Sequence, residues 1–142
     1  MLEKVYQSEF VIISVDDSKS FTMMTWTKET FDLEDHIYRK EVLNWIEALK
    51  KYQPRYVLDD ARLFSMPIAP ETQEWAAQVN NENKIETIEK YAIVMPKDYI
   101  SNLSTDQNIE EVIIHQVEKT TAAIQQFDVM DTAMNWLGMD MA

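Results

Sequence analysis

Apolar residues recur with helical spacing over one segment in the first half of the chain. At i, i+4, i+7, i+8 and i+11 they form one stripe, made of Tyr38, Val42, Trp45, Ile46 and Leu49. This spacing predicts an amphipathic helix whose stripe faces a core. Asp32 is the expected N-cap, and Asp35 in the first turn suits the helix dipole. Lys50 and Lys51 suit the C-terminal end, and Pro54 stops the helix.

Continuous apolar runs predict strands that are covered on both faces. Residues 56–58 and 91–95 are two such runs. Residues 10–15 and 21–27 predict the two strands of a β-hairpin, because polar turn residues separate them. Residues 122–127 predict a short last strand.

Two further helices are expected between these strands. One starts near Glu71 and places Trp75 and Val79 one turn apart. The other opens with Ser104 and Gln107, which have the spacing of a capping box. Strands and helices therefore alternate after the hairpin, which calls for a mainly parallel sheet with helical crossovers.

A last helix is expected near the C-terminal end of the chain. Asp128 with Asp131 is the expected cap, and Gly138 is the expected C′ residue. The expected buried stripe consists of Val129, Ala133, Trp136 and Leu137. The predicted order is β-β-α-β-α-β-α-β-α, an α/β fold with a mixed sheet, and residues 1–142 are expected to form a single domain.

The stretch from Arg55 to Trp75 is the centre of this arrangement. Its strand ends at Asp59 and Asp60, and the prolines that follow rule out a regular ladder. Open α/β sheets place their binding sites beyond the carboxyl ends of such strands. The loop from Asp60 to Pro70 is therefore the expected site.

Charge and composition exclude several classes of function. The chain has 25 Asp and Glu against 13 Lys and Arg, so its field repels nucleic acid and anionic membranes. Its single glycine rules out a phosphate-binding loop and a dinucleotide fingerprint. Without cysteine it has no disulfides. We expect no cofactor, no signal peptide, no membrane span and a cytoplasmic location.

The two adjacent aspartates have a functional and a structural interpretation. Asp59 and Asp60 are able to act as an acid/base pair or to bind magnesium through their oxygens. The favoured alternative is that one caps a turn while the other pairs with Arg62 or Arg55. No third ligand is identifiable by spacing, so no metal site is expected.

Single polar residues offer weaker hypotheses. Ser65 is a candidate phosphate acceptor, with an ordinary loop hydroxyl as the favoured alternative. His36 and His115 are far apart and have no metal-binding spacing. No nucleophile–His–acid set is identifiable, so no catalytic residue is assigned.

Aromatic residues and methionines raise the possibility of a pocket. Trp75 follows the proline loop and is a candidate for a pocket mouth. Met23, Met24 and Met66 suit an adaptable apolar cavity. The other tryptophans are assigned to core packing.

Several segments together resemble a known family. They are Tyr56-Val-Leu-Asp-Asp-Ala-Arg62, Glu71-Thr-Gln-Glu-Trp75, Tyr91-Ala-Ile-Val-Met-Pro96, and Phe127 with Ala133-Met-Asn-Trp-Leu137. Their order is similar to that of the SpoIIAA-like proteins, which share the STAS fold of anti-sigma-factor antagonists and are grouped with CRAL-TRIO lipid-binding domains. The resemblance implies a STAS-like fold and a contact loop after the central strand. The family's phosphorylated Asp-Ser motif has no counterpart in residues 64–68.

These observations lead to two hypotheses about function. The first is a non-catalytic STAS-like interaction domain that binds an unknown protein partner. The second is a carrier or sensor of a small apolar ligand or lipid in a Met- and Trp-lined cavity. The proposed interaction or ligand residues are Asp59, Asp60, Arg62, Ser65, Met66 and Trp75. An enzyme that uses Asp59, Asp60 or His115 comes third, and a homodimer is left open.

Overall fold

A computed structural model of the chain describes residues 1–65, 68–96 and 122–139. Within these ranges six strands and three α-helices follow one another: β1 (Glu3–Gln7), β2 (Val11–Asp16), β3 (Phe21–Trp26), α1 (Asp35–Tyr52), β4 (Tyr56–Asp60), α2 (Pro70–Glu82), β5 (Lys90–Val94), β6 (Ala123–Phe127) and α3 (Met130–Leu137). Short 3-10 turns lie at Asp17–Lys19 and Lys28–Asp32. The helix expected from Ser104 lies outside the described residues.

The six strands form one mixed sheet in the order β1-β2-β3-β4-β5-β6. The pairs β1–β2 and β2–β3 are antiparallel, whereas β3–β4, β4–β5 and β5–β6 are parallel. The predicted hairpin is β2 with β3, and the predicted α/β class with a mixed sheet is confirmed. Strand β1 was not predicted.

Both faces of the sheet are covered by helices. On one face α1 and α2 pack over a core that includes Val57 and Ile93. On the other face α3 packs through Ala133 and Leu137 against Leu58 and its neighbours. Successive residues of β4 therefore belong to opposite layers, as the twofold repeat of a strand requires.

The stripe of α1 is buried as predicted, but the start of the helix differs. All five stripe residues lie in the core. The N-cap residue is Glu34, which makes no side-chain cap, so the prediction of Asp32 was wrong. Asp32 ends the preceding 3-10 turn, whose own cap is the Thr27 hydroxyl. The buried Leu33 lies between that turn and α1, and because its side chain packs in the core, the helix begins only after it.

The last helix also starts later than predicted. Its N-cap position is Val129, without a side-chain cap, so the predicted cap by Asp128 was wrong. Val129 precedes the first turn and is 48% exposed, so it does not belong to the buried stripe. Trp136 is half-buried on the same helix. Gly138 adopts φ 77°, which confirms it as the left-handed C′ residue.

Strand β1 is attached to α1 through a buried glutamate. Glu41 is buried, and its carboxylate accepts hydrogen bonds from the hydroxyls of Tyr6, at 2.6 Å, and Ser8. The Asn44 amide donates to the same carboxylate and to the Tyr6 oxygen, both at 3.0 Å. Burial, followed by the neighbouring Glu41, raises the pKa of Tyr6. A mostly exposed, polar strand that pairs with β2 at the sheet edge is thus also tied to α1 by one carboxylate.

Replacing Glu41→Ala is expected to weaken this attachment. The change leaves the hydroxyls of Tyr6 and Ser8 without their acceptor, so the free energy of unfolding falls by about 2 to 3 kcal/mol. Urea-induced unfolding followed by circular dichroism measures it. The matched control is Glu47→Ala, an exposed position on the same helix, with an expected change within about 0.5 kcal/mol. Equal urea midpoints for the two variants would show that Glu41 does not hold β1.

Candidate functional site

The candidate site lies at the carboxyl end of β4, where the two aspartates occupy opposite faces of the sheet. Asp59 lies between Met24 of β3 and Ile93 of β5 in the ladder, on the face covered by α1 and α2. Asp60, the next residue, belongs to the other face. The two carboxylates therefore do not converge in one cleft as an acid/base or magnesium pair would require.

Asp60 has a structural partner close by in sequence. Its carboxylate accepts two hydrogen bonds from the Arg62 guanidinium, at 2.8 and 2.9 Å, and one from the Arg62 backbone N–H at 3.2 Å. Asp60 is buried, whereas Arg62 is exposed. The pairing raises the pKa of Arg62. The expected structural alternative is therefore met in part: Asp60 alone fills both roles that it divided between the two aspartates, and its partner is Arg62, since Arg55 pairs with Glu89 instead.

Asp59 has no such partner. Its Oδ1 atom is shielded from solvent and makes no hydrogen bond in the part of the chain that the structure describes, although the residue as a whole is only half-buried. Burial, and secondly the charge of Asp60, raise the pKa of Asp59 from 3.8 to about 7, while the Trp26 indole opposes the shift. This carboxyl group therefore titrates near neutral pH, a behaviour that is common at functional sites.

Aromatic side chains from several elements pack in the core layer on the face of the sheet to which Asp59 belongs. Trp26 of β3 stacks on Tyr38 of α1 with ring centroids 5.8 Å apart, and Phe64 packs edge-on against Trp26 at 5.0 Å. On β5, the Tyr91 hydroxyl accepts a hydrogen bond from the Trp45 indole at 3.2 Å. Burial, and next the charge of Asp59, raise the pKa of both tyrosines. We call Trp26, Tyr38, Phe64 and Tyr91 the ring cluster.

Sequence reasoning assigned Trp26 to core packing and did not connect it with Asp59. The buried position of Trp26 confirms the packing assignment. The sequence did not predict the register of the strands, and it is this register that places Asp59 on the same face of the sheet as Trp26 and Tyr91. Alternation along β4 was visible in the sequence, but the pairing of three strands was not.

The other predicted site residues are dispersed. Ser65 is exposed, and its backbone N–H donates to the Thr30 hydroxyl at 3.2 Å. Met66 lies outside the described residues. Trp75 lies on α2 with the Arg39 guanidinium 5.1 Å above its ring, where α1 and α2 meet. Ser65 therefore lies near the end of β4, and Trp75 belongs to a helix contact.

The remaining candidates do not assemble into a metal site or a single cavity. His36 is exposed beside Glu34, and His115 lies outside the described residues. Within the described ranges no group of three or more His, Cys, Asp or Glu residues is placed to hold a metal ion. Met24 lies in the core beside Trp26, whereas Met23 packs against the opposite layer. The apolar-ligand hypothesis therefore stays a prediction.

One surface feature near this end of β4 was missed by sequence reasoning. Phe31 is 69% exposed in the 3-10 turn, and Leu63 is 55% exposed in the loop after β4. Their segments are held together by Thr30, whose hydroxyl donates to the Leu63 carbonyl at 3.1 Å. We call this pair of exposed side chains, with the backbone between them, the Phe31–Leu63 surface.

We compared the chain with protein-family models, with curated proteins and with solved structures, and none of the three comparisons found a match. The resemblance to SpoIIAA-like proteins therefore stays a prediction. None of the helices in the described ranges has the length and apolar character needed to cross a membrane.

Replacing Asp59→Asn is expected to stabilise the protein in a pH-dependent way. The folded state raises the pKa of Asp59 to about 7 from 3.8, so ionisation favours unfolding. This penalty is absent below about pH 4, grows as the pH rises towards 7 and is constant above that. The stability gained by the variant over wild type should be larger at pH 8 than at pH 5, by about 2 kcal/mol.

Urea unfolding of wild type and variant at both pH values tests this expectation. Asp32→Asn is the control for removing one negative charge from an exposed position. A stability difference between wild type and Asp59→Asn that is the same at pH 5 and pH 8 would contradict the raised pKa.

Proposed function

We propose that the chain is a non-catalytic, STAS-like interaction domain that binds a protein partner through the Phe31–Leu63 surface. The observation that carries the proposal is the exposure of two large apolar side chains on adjoining segments. One of them, Leu63, belongs to the loop after the central strand, which the family resemblance implies as the contact loop. Exposed apolar groups that lie together are a common feature of interaction sites.

The backbone under this surface is well ordered by hydrogen bonds. Thr30 is buried, and its hydroxyl contacts the carbonyls of Thr27 and Leu63 at 3.0 and 3.1 Å. The same oxygen accepts the Ser65 N–H at 3.2 Å. Because the two segments are already fixed, a partner does not have to order them, which lowers the entropic cost of binding.

The charges around Phe31 indicate the chemistry of the partner. Asp32 and Glu34 are exposed next to it, and Glu29 lies two residues before it. The chain as a whole carries a net charge of −12. An apolar centre with an acidic rim complements a protein pocket that is apolar inside and bordered by Lys or Arg. We therefore propose a partner with a basic-rimmed apolar pocket.

Arg62 adds a positive charge at a defined place to this surface, which also carries the exposed Lys28 at the start of the 3-10 turn. Its guanidinium is held by the buried Asp60, so its position is set by the end of β4. The Asp60–Arg62 pair thus has a role at the surface as well as in the fold. It supplies a fixed donor that an acceptor on the partner is able to meet.

The double variant Phe31→Ser, Leu63→Ser tests the proposed surface. We expect it to fold with wild-type stability, since both side chains are largely in water, and to lose the partner. The measurement is quantitative mass spectrometry of proteins cross-linked to the tagged, full chain in a native lysate of the source cells. Raising the salt concentration should reduce the recovery of the partner by wild type, because rim charges are screened.

Leu43→Ser is the matched control, since Leu43 is 46% exposed on α1 and belongs to neither segment. A partner recovered by wild type and by Leu43→Ser, but not by the double variant, supports the proposal. Equal recovery of the same proteins by all three would overturn it.

A further inference from the structure

The Phe31–Leu63 surface consists of two segments that are far apart in sequence. Phe31 belongs to the 3-10 turn that precedes α1, and Leu63 belongs to the loop that follows β4. Such a surface has a defined shape only if one segment is held at a fixed position relative to the other. The hydrogen bonds of the two segments show which side chain does this.

The 3-10 turn is fixed independently of the loop. At its start, Thr27 donates from its backbone N–H to the Phe10 carbonyl at 2.9 Å and from its hydroxyl to the Glu9 carbonyl at 2.7 Å. At its other end, the buried Leu33 packs in the core. Phe31 lies between these two attachments, so its backbone position does not depend on the loop.

The loop after β4, in contrast, depends on the turn. The hydrogen bonds of the Arg62 and Phe64 N–H groups are local and end on residues just before them in the chain. In the described part of the chain, the backbone hydrogen bonds of residues beyond Arg62 that leave the loop both end on the Thr30 hydroxyl. They come from the Leu63 carbonyl at 3.1 Å and from the Ser65 N–H at 3.2 Å.

The Thr30 hydroxyl uses its whole hydrogen-bonding capacity in this link. Thr30 is fully buried, and its hydroxyl proton is shared between the carbonyls of Thr27 and Leu63, while its oxygen accepts from Ser65. Without the hydroxyl, the Leu63 carbonyl and the Ser65 N–H would lose this partner. Because an unpaired backbone group away from water is unfavourable, the loop would have to move towards solvent.

Phe64 supplies a second attachment of a different kind. Its ring packs in the core against Trp26 and Tyr38, with centroid distances of 5.0 and 6.0 Å. One packed ring keeps the loop near the turn but leaves the peptide groups on either side of it free to rotate. Thr30 bonds to the residues on both sides of Phe64, so it sets the direction in which Leu63 points.

We infer that Thr30 is the positioning residue of the Phe31–Leu63 surface, and that the partner is a folded protein whose pocket contacts both segments at once. This inference rests on the proposed function. A flexible peptide that binds one segment does not need the link. A preformed pocket does, because a displaced Leu63 would lose its contacts while Phe31 kept its own, and ordering the loop again would weaken binding.

Three single variants test the inference. Thr30→Val removes the hydroxyl with little change of shape, and Thr30→Ser keeps it. The matched control is Thr22→Val in β3, since Thr22 is also fully buried but its hydroxyl oxygen has no hydrogen-bond partner within the described residues. Thr30→Ala replaces Thr30→Val if the valine variant does not fold.

The first measurement is amide hydrogen exchange of the full chain by NMR, without any partner. The Ser65 amide should exchange roughly tenfold faster in Thr30→Val than in wild type, and at the wild-type rate in Thr30→Ser and Thr22→Val. An unchanged Ser65 exchange rate in Thr30→Val would overturn the inference.

The second measurement is the recovery of those proteins that wild type cross-links and that Phe31→Ser, Leu63→Ser does not. Recovery by Thr30→Val should fall roughly threefold to tenfold, and Thr30→Ser should restore it. Wild-type recovery by Thr30→Val would overturn the inference and leave the proposed function standing. Equal recovery by wild type and by Phe31→Ser, Leu63→Ser would overturn the proposed function and the inferred partner, and the exchange rates alone would then decide whether Thr30 positions the loop.

Discussion

Strand β4 has a hydrogen-bonded strand on each side and packed side chains on each face, and this constraint determines the rest of the structure. Its neighbours β3 and β5 both run parallel to it, and Val57 and Leu58 are fully buried. Every side chain of such a strand must enter one of two interior layers. The two carboxylates that end it are therefore separated by the sheet, although they are adjacent in sequence.

The charges of the two carboxylates are compensated differently in the two layers. Asp60 is neutralised locally by Arg62, whose guanidinium reaches back from two residues further on. Asp59 belongs to the layer of apolar and aromatic side chains, where burial raises its pKa more than the Trp26 indole lowers it. Proteins retain such locally unfavourable groups mostly where they serve function. The ionised carboxylate of Asp59 therefore destabilises the folded protein increasingly as the pH rises from about 4 to 7.

Features that depend on local patterns were predictable, and features that depend on distant partners were not. The stripe of α1 and the runs of β4 and β5 follow from the spacing of apolar residues. Strand β1 is polar because its faces are exposed, and its attachment to Glu41 joins residues more than 30 positions apart. The Asp60–Arg62 pair was among the structural alternatives because it is local. The neighbours of Asp59 follow from the register of β3, β4 and β5, and the spacing of apolar residues along the sequence does not define that register.

The loop after β4 connects the core physically to the Phe31–Leu63 surface. Phe64 packs against Trp26 and Tyr38 at 5.0 and 6.0 Å, while the adjacent Leu63 points into solvent and its carbonyl is held by Thr30. The loop thus has one side chain in the core and the next in solvent. A partner that bound Leu63 would act on a residue whose chain neighbour is packed against the core, which makes Phe64 the physical link between core and surface.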